Sequence, residues 1–245
     1  MVSASKQLSA LFELGGFPEP LLRGSERFAA RWRLAYASRL VREDLRDAEA
    51  FRDLDKIEQL YDRLPALVGA PLSVNGLRED LEVAFDTAEA WLAALERMYA
   101  VYRVAPFGPP RIKAVKKAQK LFFWDWARVE NESARAENLV MSHLLRLTHW
   151  LVDEHGQKAE LRFFRDVHGH EVDAVVLHKG KPWMAVEIKL NDAPLDSGLR
   201  YFVERVPVPH VFQVAVRGKS DRYLPGIGAS GIRMVPAATF LANLP

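Results

Sequence analysis

Trp183-Met184-Ala185-Val186-Glu187-Ile188-Lys189-Leu190 is the stretch on which the reading of this chain turns. Its apolar residues make it a strand, yet two charges sit near its end. Residues two apart in a strand share a face. The Glu187 carboxylate and the Lys189 amine therefore project together, while Ile188 turns the opposite way, into the core. The preceding extended segment, Glu171–Leu177, holds Asp173 among apolar Val172, Ala174, Val175 and Val176. His178-Lys179-Gly180-Lys181-Pro182 links the two segments as tightly as an antiparallel hairpin requires, so Asp173 and Glu187 converge across the ladder. Two carboxylates and a lysine at the end of an apolar sheet suit one task. They hold a hard divalent cation through oxygens, while the ammonium steadies a nucleophilic water or a developing phosphate charge. An ordinary sheet-surface network, with Asp173 and Glu187 paired to Arg165 or Lys189, uses the same residues. Half-burying these charges for stability alone is costly, however.

On the N-terminal side of the pair, a helix is expected from about Ala134 to Trp150, with Leu139, Val140, His143, Leu144 and Leu147 on one face. A first extended segment, Glu160–Asp166, follows, joined to the second by His168-Gly169-His170. These histidines flank a turn glycine and read as turn residues rather than ligands. Arg165-Asp166 reads equally as a pair reaching the site and as a turn-flanking ion pair. His143 and His149 are six apart and do not share a helix face. Beyond Lys189, a helix from about Ser197 to Val206 leads to His210–Arg217, an apolar run that fits a buried strand. An irregular tail then returns to a short strand near Ile232–Val235. The order is α-β-β-β-α-β.

The N-terminal part reads as helical. Phe28, Trp32, Tyr36 and Leu40 recur every four residues and predict one apolar face on a helix from about Ser25 to Ala48. A second helix, about Leu54 to Val68, turns Ile57, Leu60, Tyr61 and Leu64 inward. Ser73 and Asn75 can cap a short helix through Leu77 and Leu81, and Thr87 is a plausible cap for Ala88–Tyr99. Val101–Val104, a Pro/Gly-rich loop and Lys120–Trp124 then read as a hairpin wing. Together these elements look like a winged helix. Its would-be recognition helix carries Glu89 and Glu96 with only Arg97 as a base, whereas major-groove readers place Arg, Lys, Asn or Gln there.

The length, 245 residues, suits one large domain or two small ones, and 49% apolar residues build a core easily. Disorder, collagen and coiled coil are excluded. The net charge of +2 points to no partner, but the segment between Glu96 and Asp125 contains no acid. It carries Arg97, Arg103, Arg111, Lys113, Lys116, Lys117 and Lys120 beside Phe122, Phe123 and Trp124, a combination that can touch a polyanion. With no cysteine, disulfides, thiolate nucleophiles, iron–sulfur clusters and Cys-type zinc sites are removed together. No apolar run reaches the roughly 18 residues of a membrane span, and the N-terminus, with Glu13, is unlike a secretion signal. A cytoplasmic location is the expectation. No nucleophile elbow and no dinucleotide-binding glycine motif is present.

The Asp…Glu-x-Lys arrangement on an α-β-β-β-α-β core resembles the PD-(D/E)XK, restriction-endonuclease-like fold. Glu137, in Arg135-Ala136-Glu137-Asn138, sits in the preceding helix, where Holliday-junction-resolvase-like members carry a further acidic residue. More closely, the chain resembles the C-terminal half of a bacterial and archaeal family of AAA+-type ATPases, a winged-helix-like region followed by a nuclease-like domain of unassigned function. The matching pieces are Gly15-Gly16-Phe17-Pro18-Glu19, Arg42-Glu43-Asp44-Leu45, Lys120-Leu121-Phe122-Phe123-Trp124-Asp125, Glu137-Asn138, Arg165-Asp166, Glu171-Val172-Asp173 and Glu187-Ile188-Lys189. They span roughly Leu11 to Arg217.

The resemblance implies an α+β protein, with a helical, winged-helix-like domain over 1–128 and a nuclease-like domain over 129–245. It implies a metal-dependent nuclease in which Asp173 and Glu187 bind Mg²⁺ or Mn²⁺. Glu137 would support the metal or orient its water, and Lys189 would position the nucleophile or stabilise the phosphorane. Arg103, Arg111, Lys113, Lys116, Lys117 and Lys120 would contact DNA, or alternatively RNA. Glu137 equally suits a cap or an ion pair with Arg135. Members of that family carry an ATPase domain before the Gly-Gly-Phe-Pro-Glu segment, which here begins at residue 15. No Gly-x4-Gly-Lys-[Ser/Thr] occurs; Gly218-Lys219-Ser220 follows Gln213 where the first glycine belongs. ATP hydrolysis is therefore not expected of this polypeptide, and a separate AAA+ ATPase chain becomes a candidate partner. Ala136 and Ala174 stand where the family tends to have larger residues. A second expectation, of another class, is a non-catalytic module that binds nucleic acid or a partner protein for such an ATPase.

Overall fold

The computed structural model describes residues 4–46, 53–108 and 118–245, and shows a mixed α+β protein. Its contacts divide it into two units. One comprises 9–103 with 120–135; the other comprises 104–119 and 136–245, together with the first eight residues.

The first unit is mainly helical. A short helix, Pro18–Arg23, starts with proline and ends at Gly24 in left-handed backbone. The Ser25 hydroxyl then accepts the Phe28 N–H and caps a longer helix, Glu26–Arg39, which continues as a π-helical turn, Leu40–Leu45. Of the expected stripe Phe28, Trp32, Tyr36 and Leu40, Leu40 is buried and the three aromatics are only half-buried; further buried positions lie one residue on, at Ala29, Ala37 and Val41, and at Leu45. The cause is Arg33. Its Nε lies 3.3 Å from Oδ2 of the buried Asp125, which draws that side of the helix inward. The half-exposed aromatics pack on one another instead, with Trp32 and Tyr36 stacked at 5.2 Å and Phe17 tilted against both.

The same aspartate explains a paired glycine. Gly15 has φ 85°, and a Cβ there would lie 2.3 Å from Asp125 Oδ1; a Cβ on Gly16 would lie 2.5 Å from the Trp126 ring. Trp126 Nε1 donates to the Leu11 carbonyl at 2.7 Å. Gly15-Gly16 and Asp125-Trp126, over a hundred positions apart in sequence, are thus two halves of one contact. Gly15→Ala is expected to lower unfolding stability by about 2–4 kcal/mol, through left-handed strain plus overpacking. A urea denaturation midpoint indistinguishable from wild type would refute this.

Helix Leu54–Arg63 is capped by Asp53 and buries Ile57, Leu60 and Tyr61 as expected. Ser73 caps Val74–Leu81 through the Gly76 N–H. The next helix runs Phe85–Arg97, starting two residues before Thr87; Ala84 is its N-cap and no side chain caps it. Here β1 (Val101–Pro106) begins, with β2 (Lys120–Phe123) beside it.

In the second unit, β1 ends alongside β3 (Ala159–Arg165), which follows a long helix, Glu132–Asp153. The remaining strands are β4 (Glu171–His178), β5 (Lys181–Lys189), β6 (His210–Ala215), β7 (Arg222–Leu224) and β8 (Ile232–Pro236). Their order is β1-β3-β4-β5-β6-β8-β7. The sheet is mixed: β3, β4 and β5 run antiparallel, while β5, β6 and β8 are parallel. Lys179 and Gly180, at φ 52° and 76°, form the two-residue turn that pairs His178 with Lys181. One helix, Ser197–Val203, lies on a sheet face, packing Leu199, Phe202 and Val203 on Val175, Leu177, Ala185 and Val211. A Cβ on Gly198 would lie 2.4 Å from the Glu171 carbonyl oxygen, so only glycine lets this helix start so close to β4. Among the described residues no helix is long and apolar enough to cross a membrane.

Candidate functional site

The face that the Ser197–Val203 helix covers changes character along the strands. Val175 pairs with Ala185, and Ala185 with Val211, all apolar. Two residues further along β5, on the same face, stands Glu187, level with Gln213 of β6; Asp173 is two residues back along β4. Lys189 is the next residue of β5 on that face. The apolar patch thus gives way to Asp173, Glu187, Gln213 and Lys189 where the helix begins.

Glu187 is 6% exposed. Lys189 Nζ donates to its Oε1 at 2.8 Å, and the buried Oε2 has no hydrogen-bond partner among the described residues. Asp173 Oδ2 accepts the Ile188 N–H at 2.8 Å. Burial and the neighbouring Asp173 charge push the Glu187 carboxyl far above the ordinary glutamate range, against the pull of Lys189. Burial would lower the Lys189 pKa, but Glu187 and Asp196 outweigh it and hold the ammonium charged.

Asp196 is the residue that the sequence reading missed. Its Oδ2 accepts Lys189 Nζ at 2.8 Å, while Oδ1 caps the helix through the Gly198 and Leu199 N–H groups at 2.7 and 3.1 Å. These donors overcome the effect of burial and hold its carboxyl below the usual range. Gln213, 3% exposed, braces the loop that carries it. Its Oε1 accepts the Asp196 N–H, and its Nε2 donates to the Ala193 and Pro194 carbonyls. Both residues left a signal: an acid directly before a Ser-Gly helix start, and a single amide inside the apolar run His210–Arg217.

The other expected residues lie as follows. Glu137 is half-buried on the long helix, and among the described residues no three carboxylates or histidines are gathered to hold a metal ion. Glu137 therefore does not join Asp173 and Glu187 in a three-acid set. Arg165 pairs with Glu171 at 2.9 Å. Asp166 is buried and organises the turn, accepting from the His168 and His170 N–H groups and lying 2.8 Å from His170 Nδ1. The His170 ring lies flat on Tyr201 at 3.8 Å.

The basic segment departs from the expected phosphate-facing row. Arg103, its side chain 14% exposed, is clasped by Glu89 and Glu96 at 2.8 Å each, and Lys120 is 1% exposed within β2. The acids Glu89 and Glu96 that argued against a recognition helix are the partners of this arginine. Arg111, Lys113, Lys116 and Lys117 lie outside the described residues. Arg103→Ala is expected to cost about 1–3 kcal/mol of stability by stranding two half-buried carboxylates, with duplex DNA affinity unchanged. A loss of affinity at unchanged stability would return Arg103 to the phosphate-binding set.

Fold and site together define an α+β protein whose mixed sheet ends in a buried carboxylate–lysine cluster. The chain belongs to the family of the domain of unknown function DUF8612, which matches residues 5–129; a further domain of unknown function, DUF4143, matches residues 133–230. No curated protein and no protein of solved structure matches it.

Proposed function

We propose that this protein hydrolyses phosphodiester bonds of DNA with a divalent metal ion, through the Asp173, Glu187 and Lys189 cluster and on a restriction-endonuclease-like core. The observation that carries this reading is Glu187 Oε2, a buried carboxylate oxygen with no hydrogen-bond partner among the described residues and a second carboxylate beside it. Buried polar atoms left without a partner are the exception in folded proteins, and this one lies beside a second carboxylate and a lysine. A hard cation answers it, and the donor set fits Mg²⁺ or Mn²⁺, which bind through one or two carboxylates and retain several waters. Asp173 and Glu187 would hold the ion, and Glu137 is not needed as a ligand. When bound, the metal would polarise the phosphoryl group and acidify a water.

The chain's own residues do the rest. The Ile188 N–H donates to Asp173 Oδ2 at 2.8 Å and so fixes that carboxylate beside Glu187. Lys189, held charged, is a fixed positive donor at the edge of the cluster, where it counters charge developing on the phosphate. The Ser197–Val203 helix packs Leu199 and Phe202 on the apolar patch that adjoins the cluster along β4 and β5. The test is calorimetric titration of Mg²⁺ and Mn²⁺, followed by incubation with supercoiled plasmid and with labelled single-stranded, duplex and branched DNA. Metal binding with cleavage supports the proposal; purified protein that neither binds metal nor cleaves overturns it.

A second reading rests on a different observation. DUF4143 is commonly associated with AAA-ATPase-containing proteins. A module that binds nucleic acid or a partner for a separate ATPase would show salt-dependent, metal-independent affinity and no cleavage.

A further inference from the structure

Lys189 has two anchors of unequal permanence. Its ammonium bridges Glu187 Oε1 and Asp196 Oδ2, each at 2.8 Å. Under the phosphodiesterase reading, on which this inference rests, Glu187 would be a ligand of the divalent ion and would no longer serve the lysine alone. Asp196 has no such competing demand. Its other oxygen is engaged by two backbone N–H groups of the helix, and its own N–H is fixed by the buried Gln213. That amide in turn grips two consecutive carbonyls of the same loop. The carboxylate is thus placed by the fold and not by the lysine.

We infer that Asp196 is the positioning residue of this site, keeping the Lys189 ammonium beside the scissile phosphate once metal has taken Glu187. Three features set it apart from an ordinary helix cap. A cap needs one carboxylate oxygen, and Asp196 has a second aimed at Lys189. The loop that presents it is tied down from β6 rather than left to solvent. Lys189 is only half-buried, and losing both partners would release its flexible stem to water.

Asparagine caps helices as well as aspartate, so Asp196→Asn keeps the cap and removes the charge. A thermal midpoint near wild type verifies that the variant folds. The direct readout is the ¹H–¹⁵N signal of the Lys189 ammonium, which is visible when hydrogen bonds slow its exchange with water. Without metal, the signal is expected to persist in Glu187→Met, which removes the acceptor, and in Asp196→Asn, and to vanish in the double variant. On adding Mg²⁺ it should persist in wild type and vanish in Asp196→Asn. In cleavage assays, Asp196→Asn should lower kcat about tenfold or more with KM within about twofold, as for an interaction made in the transition state, and Asp196→Glu should recover part of the loss.

Survival of the signal in the double variant overturns the inference. So does its survival in Asp196→Asn with Mg²⁺ bound by calorimetry. Absence of any Mg²⁺ binding in wild type overturns the nuclease reading instead, and the metal-free variants still decide whether Asp196 holds the lysine.

Discussion

Lys189→Met is expected to reduce DNA cleavage by about 10²–10³-fold while leaving Mg²⁺ affinity unchanged or tighter. The magnitude is that of removing one preorganised charge from a transition state. The direction of the metal effect follows from the geometry: among the described residues the Lys189 ammonium is the one hydrogen-bond partner of the Glu187 carboxylate, and it competes with any cation for Oε1. Methionine keeps the length and the apolar stem, so packing along β5 is retained. Asp173→Asn should abolish cleavage and metal binding together, because it removes one of the two negative charges that would hold the cation. Single-turnover rates on duplex DNA, with calorimetry on the same samples, measure both. Equal cleavage by wild type and Lys189→Met would mean that the activity comes from elsewhere, and the proposed site would fall.

The second large effect concerns stability. Glu187→Gln should raise the melting temperature of the metal-free protein at pH 8 by about 3–8 °C, the shift expected for a few kcal/mol in a chain of this size. Burial and Asp173 raise the folded-state Glu187 pKa from 4.5 to about 9. The folded protein then holds a proton that the unfolded chain gives up. The resulting stability is complete below about pH 4.5 and is lost as pH rises toward 9. Glutamine carries no such penalty, so its advantage should be near zero at pH 4.5 and grow steadily above it. Mg²⁺ should stabilise wild type at pH 8 and leave the variant unaffected. An advantage that is flat across pH would show that Glu187 is ionised at little cost, which would remove the observation on which the proposed function stands.

The chain yielded its architecture readily where periodicity was strong. The apolar runs in Glu171–Leu177 and Trp183–Leu190 placed two strands, and a strand's period of two then put Glu187 and Lys189 on one face, across the hairpin from Asp173. Helix Glu26–Arg39 was harder. Its aromatic stripe signalled one face, but Arg33 turned the neighbouring face inward to reach Asp125, a pairing across 92 positions that no local pattern records. Arg103 and Lys120 misled for the same reason: their charge is visible in the sequence, whereas their burial depends on Glu89, Glu96 and the strand around them. Asp196 escaped notice because a single acid before a helix reads as a cap, and its second bond runs to a different strand.

β1 has a practical consequence for anyone wishing to study the sheet by itself. Residues 104–106 lie far upstream of the other strands, yet Ala105 and Pro106 pair with Arg162 and Phe163, and the Phe107 N–H donates to the Phe163 carbonyl. A gene fragment starting at residue 129 would therefore make a protein whose β3 has an open flank. Unpaired flanks recruit other chains, so such a fragment should precipitate or swap strands when overproduced. Fusing 101–107 ahead of the long helix through a flexible tether, or supplying it as a peptide, should restore a soluble monomer. The upstream segment thus serves the sheet as a bound guest already attached to its host.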